Sequence, residues 1–243
     1  MKSVSGQRKR GPAARGKGRE ETERTALAEG LYRVLVPIWP DARPLLHYKS
    51  DFELLVSVIL SAQCTDEQVN RVTPALFERW PDAKAMAQAT QAQMEGMIHS
   101  VGFFRTKAEH LIEMSKILVK DYGGAVPLTM DELLGLPGVG RKTANLVYSA
   151  CAGGPGIIVD THVARVCLRT GLCENDDPAL CEKRIAAALP EEKWTAFSHA
   201  VNRHGKFVCR ARKPACECGE ECPAADICAH AGCAIKRGAG RAG

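Results

Sequence analysis

Lys142 closes the run Leu136-Pro137-Gly138-Val139-Gly140-Arg141-Lys142, and its place there suits an amine nucleophile. Apolar residues lead up to Leu136, Pro137 stops one helix, and another begins at Arg141. Gly138 and Gly140 permit positive φ and a tight reversal that brings backbone N–H groups to the surface. At the start of a helix such groups favour an anion, a phosphate above all. A plain helix–helix turn is the alternative. Lys142 falls in the first turn of the second helix, where a cation is mildly disfavoured. A lysine that gives up its proton readily is what Schiff-base chemistry needs, although a helix-surface lysine taken singly is ordinarily solvent-exposed and inert.

Eighteen residues on, Ile157-Ile158-Val159-Asp160-Thr161-His162-Val163 sets an acid directly after a β-branched apolar run. Asp160 has two readings. It can cap the helix that carries Val163, Val166 and Cys167, or it can be a carboxylate that assists Lys142 and stabilises a developing positive charge. A third set is the cysteines. The chain has eleven, and six fall between Cys209 and Cys233. With no export signal expected, a metal or iron–sulfur site suits them better than disulfides. Zinc is the chemical competitor, although no short CxxC pair is present. Cys64, Cys151, Cys167, Cys173 and Cys181 read as small apolar fillers.

The elements that must position these residues are helical almost throughout. Leu27, Leu31, Val34, Leu35 and Ile38 form one stripe. Asp51–Ala62 is nearly continuously apolar and suits a helix buried on most sides. Thr65 and Gln68 form a capping box that opens the next helix, and Thr129 with Glu132 caps another. Further helices are expected over Gln91–His99, Thr106–Asp121 (ended by Gly123 and Gly124), Asp131–Leu136, Arg141–Ala152, Thr161–Thr170, Pro178–Leu189 and Trp194–His204. Strand-like alternation is nowhere sustained, and no internal repeat or coiled-coil heptad is present. The expected fold is all-α with a cysteine-rich loop appended.

Composition is that of a soluble globular protein, 45% apolar and 25% charged in 243 residues. No apolar run reaches the roughly 18 residues that span a bilayer, and Met1–Arg24 does not read as a secretory signal. A cytoplasmic location follows as the default. Net charge is +5, which by itself establishes no nucleic-acid partner. The distribution says more: Lys2, Arg8, Lys9, Arg10, Arg15, Lys17 and Arg19 crowd the first twenty residues. Residues 1–24 therefore read as a disordered basic arm, either a phosphate-binding segment or a solubilising tail. The tail 236–243 is expected to fray.

Taken together, LPGVGRKTAN, VDTHVARVCLRTGL, LLVSVILSAQCTDEQVN (54–70) and CRARKPAC (209–216) resemble endonuclease III of the helix-hairpin-helix glycosylase superfamily. The resemblance covers roughly residues 27 to 230, with the motifs in the family's order. It implies a two-lobed fold: a six-helix barrel over 44–154, and a lobe over 25–43 and 155–235 with a [4Fe–4S] cluster. It implies a bacterial, monomeric bifunctional DNA glycosylase/AP lyase of base excision repair. The partner would be double-stranded DNA with oxidised pyrimidines or abasic sites, the target nucleotide being flipped out. Lys142 would attack C1′ and form a Schiff base that leads to β-elimination, with Asp160 as its carboxylate. Gln63 would fill the space left by the flipped nucleotide, and Asp66 matches a family acid of less defined role. Gly138, Gly140 and Arg141 would contact DNA backbone, as would Arg210, Arg212 and Lys213.

Two departures stand out. Phe103 takes the place of a leucine wedge, so it is either an aromatic wedge that stacks on bases or a core residue. The cysteine spacing also differs. The intervals Cys209–Cys216 and Cys222–Cys228 fit the family's four-cysteine loop, but the family's third cysteine would fall at Gly219. Cys222 is taken as the third ligand, with Cys218 its competitor and Cys233 an outside possibility. Two other functions stay in view: a monofunctional adenine or thymine mismatch glycosylase, and a non-catalytic DNA-binding module.

Overall fold

The computed structural model describes residues 12–40, 43–218 and 220–230, with side chains from residue 20 onward. Eleven α-helices lie among these residues, with short 3-10 turns and loops between them: α1 (Pro12–Leu35), α2 (Asp51–Ser61), α3 (Asp66–Arg79), α4 (Ala83–Met86), α5 (Gln91–Ile98), α6 (Phe104–Asp121), α7 (Met130–Leu134), α8 (Arg141–Cys151), α9 (Thr161–Thr170), α10 (Pro178–Ala188) and α11 (Trp194–Phe207). No strand occurs among the described residues, so the all-α expectation holds. The chain divides into two compact units. One is residues 41–158, and the other is residues 1–40 with 159–243.

The 41–158 unit is built around α2. Phe52, Leu54 through Leu60 and the included Ser57 are all buried, so this helix is wrapped on nearly every side, as its apolar run predicts. It packs against α3, α6 and α8, and α6 in turn carries α4 and α5. Ser50, Asp82, Thr90 and Thr129 cap the helices that follow them. At Thr65 half of the expected box forms. Its hydroxyl accepts from Gln68 N, but the Gln68 amide donates across to Ser100 Oγ at 2.7 Å. The full capping box is at Thr90 and Gln93, where the sequence reading did not place one. Gly123 and Gly124, both with positive φ, end α6 as expected.

In the other unit, α1 packs on α10 and α11, and α11 lies along α9. The α9–α11 crossing is close because Gly205 has no side chain. A Cβ there would stand 2.8 Å from His162 O and 2.9 Å from His162 Cβ. The first helix begins at Pro12, so residues 12–24 are helical where a disordered arm was expected. Residues 1–11, like Cys233 and the 236–243 tail, lie outside the described residues. The correction has a physical reason. Pro at the first helical position and the Ala, Arg, Lys and Glu that follow favour a helix, and Arg24 pairs with Glu174 at 3.1 Å, tying the segment down beside Arg184.

Gly205→Ala is expected to destabilise the protein by about 1–3 kcal/mol through overpacking of α9 on α11. Urea unfolding measures this, and an unchanged midpoint would show that the crossing has room for a methyl group.

Candidate functional site

In the 41–158 unit the candidate residues gather on three loops. The first is the α7–α8 hairpin. Leu133, Leu136 and Val139 are buried and anchor it from below. Gly138 has φ +77, a conformation that favours glycine, and a Cβ there would meet His110 Cβ and Nδ1 tightly at 3.1 Å. Gly140 differs from expectation. It is the N-cap of α8 in an extended conformation, φ −92, and its contribution is to bring no side chain. The N-terminus of α8 is therefore left without a side-chain cap, which suits an external anion. Arg141 and Lys142 follow on the exposed face, with Ala144 through Val147 buried behind them.

The second and third loops hold Gln63 and Phe103. Both are non-glycine residues with positive φ, +53 and +57, and Lys213 is the one other such residue among those described. This conformation costs about 1–2 kcal/mol for an L-residue, and such strain collects at functional sites. Phe103 is 65% exposed, so the core reading is overturned. Its ring stands in solvent at the N-terminus of α6. The structure brings the two loops together: the Cβ position of Gly102 is 3.4 Å from Gln63 O. Asp66, in the first turn of α3, is half-buried.

In the other unit, Asp160 is the N-cap of α9. Its Oδ1 accepts from His162 N at 3.0 Å and Val163 N at 2.9 Å. Its Oδ2 accepts from Asn202 Nδ2 at 2.7 Å. The capping reading is thus correct, and it leaves a half-buried carboxylate in one fixed orientation. Asn202 is a site residue the sequence did not reveal, since it lies forty-two residues away on α11 with no motif of its own.

Cys209, Cys216, Cys222 and Cys228 line one cavity with His204 and His230. Cys218 is exposed and does not line it, which favours Cys222 as the third member of the set. Among the described residues no three His, Cys, Asp or Glu side chains converge closely enough to hold one metal ion. Donors point at the sulfurs: Arg169 Nη1 reaches Cys209 Sγ at 3.4 Å, and His230 N reaches Cys228 Sγ at 3.5 Å. Burial pushes the Cys209 thiol up, opposed by Arg169. Burial likewise lowers the His204 imidazole to about 4, keeping it neutral beside Cys222. Arg210 is half-buried and engaged, donating to Glu220 at 2.9 Å and to Lys213 O at 3.1 Å. Arg212 and Lys213 are exposed. Of the fillers, Cys167, Cys173 and Cys181 are buried, while Cys64 and Cys151 are half-buried.

Because Asn keeps the cap and loses only the acceptor that faces Asn202, Asp160→Asn should cost less stability than Asp160→Ala, whose lost cap costs about 0.5–2 kcal/mol. Denaturant titration of both variants checks this, and equal losses would count against the capping geometry.

Comparison with known proteins agrees with these elements. The sequence profile of the HhH-GPD superfamily base excision DNA repair proteins matches residues 56–191. Endonuclease III of Synechocystis sp. is 46% identical over 196 residues, 80% of this chain and 88% of that one. Endonuclease III of Bacillus subtilis is 42% identical, over 79% and 86%, and that of Escherichia coli 39%, over 75% and 85%. A solved structure of a trapped endonuclease III–DNA covalent intermediate superposes with a TM-score of 0.78 at 37% identity, covering 90% of this chain and 98% of that one. A thermostable thymine-DNA glycosylase, 23% identical with a TM-score of 0.71, shares the fold. The chain belongs to the HhH-GPD superfamily of base excision DNA repair proteins and, within it, to the endonuclease III family.

Proposed function

We infer that this chain is a bifunctional DNA glycosylase and AP lyase of base excision repair, acting on oxidised pyrimidines and abasic sites in double-stranded DNA. The observation that carries the reading is its likeness, over nearly the whole of both chains, to an endonuclease III trapped as a covalent intermediate with DNA. A covalent intermediate needs a nucleophile, and Lys142 stands exposed beside a hairpin suited to a phosphate.

The chemistry divides among the chain's own residues. The α7–α8 hairpin, with Gly138, Gly140 and Arg141, grips backbone phosphate and sets the register of the DNA. The target nucleotide is flipped out, with Gln63 and Phe103 taking up the space it leaves. Lys142 Nζ attacks C1′, the damaged base departs, and the sugar ring opens to an imine. Loss of a C2′ proton then expels the 3′ phosphate by β-elimination, and water hydrolyses the imine to release Lys142. Both oxygens of Asp160 are already engaged in hydrogen bonds. It therefore serves as an oriented negative charge that stabilises the developing oxocarbenium character.

Cys209, Cys216, Cys222 and Cys228 are proposed to hold a [4Fe–4S] cluster. Four thiols line one cavity, and four cysteine thiolates are the ligand set such a cluster takes. N–H donors directed at two of the sulfurs fit thiolate ligation. The group would hold the loop that presents Arg212 and Lys213 to DNA backbone, Arg210 bracing that loop from within. None of the described helices is long and apolar enough to cross a membrane, and the reading places the protein as a monomer in the bacterial cytoplasm.

Borohydride reduction in the presence of an abasic-site duplex is expected to trap a covalent adduct that disappears in Lys142→Ala. Base release without an adduct would point to a monofunctional mismatch glycosylase, and binding alone to a non-catalytic module. For the cysteine loop, Cys222→Ala should abolish the broad visible absorption of the purified protein and its iron content, while Cys218→Ala should retain both. A colourless wild-type protein with stoichiometric zinc would overturn the assignment.

A further inference from the structure

Lys107 is 5% exposed, an unusual place for an ammonium group. Desolvation lowers its pKa, and no carboxylate pairs with it among the described residues. Its Nζ donates instead to two backbone carbonyls, Leu60 O at 2.8 Å and Ala62 O at 2.6 Å. These are among the last carbonyls of α2, where a cation offsets the helix dipole. The next residue in the chain is Gln63, held at φ +53. The backbone N–H of the same lysine donates to Phe103 O at 3.1 Å, closing the first turn of α6 immediately after the second strained residue, Phe103 at φ +57. One residue is thus bonded at one end to the base of the Gln63 loop and at the other to Phe103. The Gln68–Ser100 bond and the close approach of Gly102 to Gln63 O join the same two loops at their rims.

We propose that Lys107 is a positioning residue that fixes the separation and facing of Gln63 and Phe103, so that the two side chains enter the duplex as one rigid pair. The inference rests on the glycosylase/lyase reading and adds a residue that never touches the reacting atoms. A side chain without a donor at 107 would leave Leu60 O and Ala62 O unsatisfied and let the Gln63 loop relax out of the left-handed conformation. The consequence is specific. Opening a paired nucleotide needs the space filled behind it, whereas an abasic site in single-stranded DNA needs no such filling.

The test is borohydride trapping on two substrates, an abasic site in duplex DNA and the same site in single-stranded DNA. There the Lys142 amine condenses with the C1′ aldehyde, losing water, and hydride reduces the imine to a stable secondary amine. In Lys107→Met the ratio of duplex to single-strand trapping rate is expected to fall by roughly ten- to a hundredfold, as small misplacements of positioning groups do. Lys107→Arg, which keeps the cation and its donors, is expected to restore most of that ratio. Phe103→Ala should produce the same selective loss, and the double variant with Lys107→Met should lose less than the product of the two. If Lys107→Met fails to fold by circular dichroism, Lys107→Gln, whose shorter side chain keeps a donor for at most one of the two carbonyls, takes its place with a smaller loss of the same ratio expected. An unchanged ratio, or losses that multiply, would overturn the positioning role. A wild-type protein that traps neither substrate would instead overturn the enzymatic reading on which it rests.

Discussion

Every helix in an all-helical fold leaves N–H groups at one end and carbonyls at the other that its own hydrogen bonds do not reach, and this constraint organises the chain's functional residues. Six N-termini are closed by ordinary local side-chain caps: Ser50, Thr65, Asp82, Thr90, Thr129 and Asp177. The candidate functional residues stand where closure departs from that pattern. Gly140 gives α8 no side-chain cap at the end where Lys142 sits. Asp160 closes α9 with one carboxylate oxygen and keeps the other for Asn202. Lys107, from a different helix, closes the end of α2 that leads into Gln63.

The same constraint explains why the strained residues persist. Gln63 and Phe103 are each in a conformation that costs an L-residue about 1–2 kcal/mol, and a loop free to relax would abandon it. Neither loop has that freedom. A buried ammonium on two carbonyls, a helix-closing bond to Phe103 O and the Gln68–Ser100 bond hold them from several directions. An exposed phenylalanine on a rigid strained turn is a poor contributor to folding and a good tool for stacking on a base. Its exposure excludes the core reading and leaves the ring free for such stacking.

How much of this was legible in the sequence follows from how local each signal is. Helix existence came from periodicity, and the Thr129 and Gly123–Gly124 signals from residues three or fewer apart, so both were readable. The hairpin, Lys142 and Asp160 were readable as a motif, yet the division of labour between Gly138 and Gly140 depends on φ values that pattern does not encode. Gln68 shows the limit of a local rule: its backbone obeys the capping box, but its amide finds Ser100, thirty-two residues away. Asn202 and Lys107 were illegible because each acts on a partner more than forty residues distant. Residues 12–24 read as disordered from basic charge and scarce apolar surface, but they continue α1, and Arg24 at their end pairs with Glu174, a partner far away in sequence. Spacing leaves both Cys218 and Cys222 open as third ligand, and only the fold shows that Cys222 lines the cysteine cavity while Cys218 is exposed.

Helix α9 shows how these pieces depend on one another inside a single unit. Asp160 starts it, and near its other end Arg169 donates to Arg210 O at 2.7 Å, to Ala211 O at 3.0 Å and to Cys209 Sγ. One turn earlier, Arg165 donates to Cys209 O at 3.1 Å and Gly205 O at 2.7 Å. The cysteine loop therefore has no orientation independent of α9, and α9 is pressed on α11 at Gly205, three residues from Asn202. Anything that loosens the cysteine loop removes the acceptors of Arg169 and one of those of Arg165, and Arg165 in turn ties α9 to α11 at Gly205 O. A cysteine loop that takes no part in bond-breaking can in this way still bear on the orientation of the Asp160 carboxylate at the start of α9.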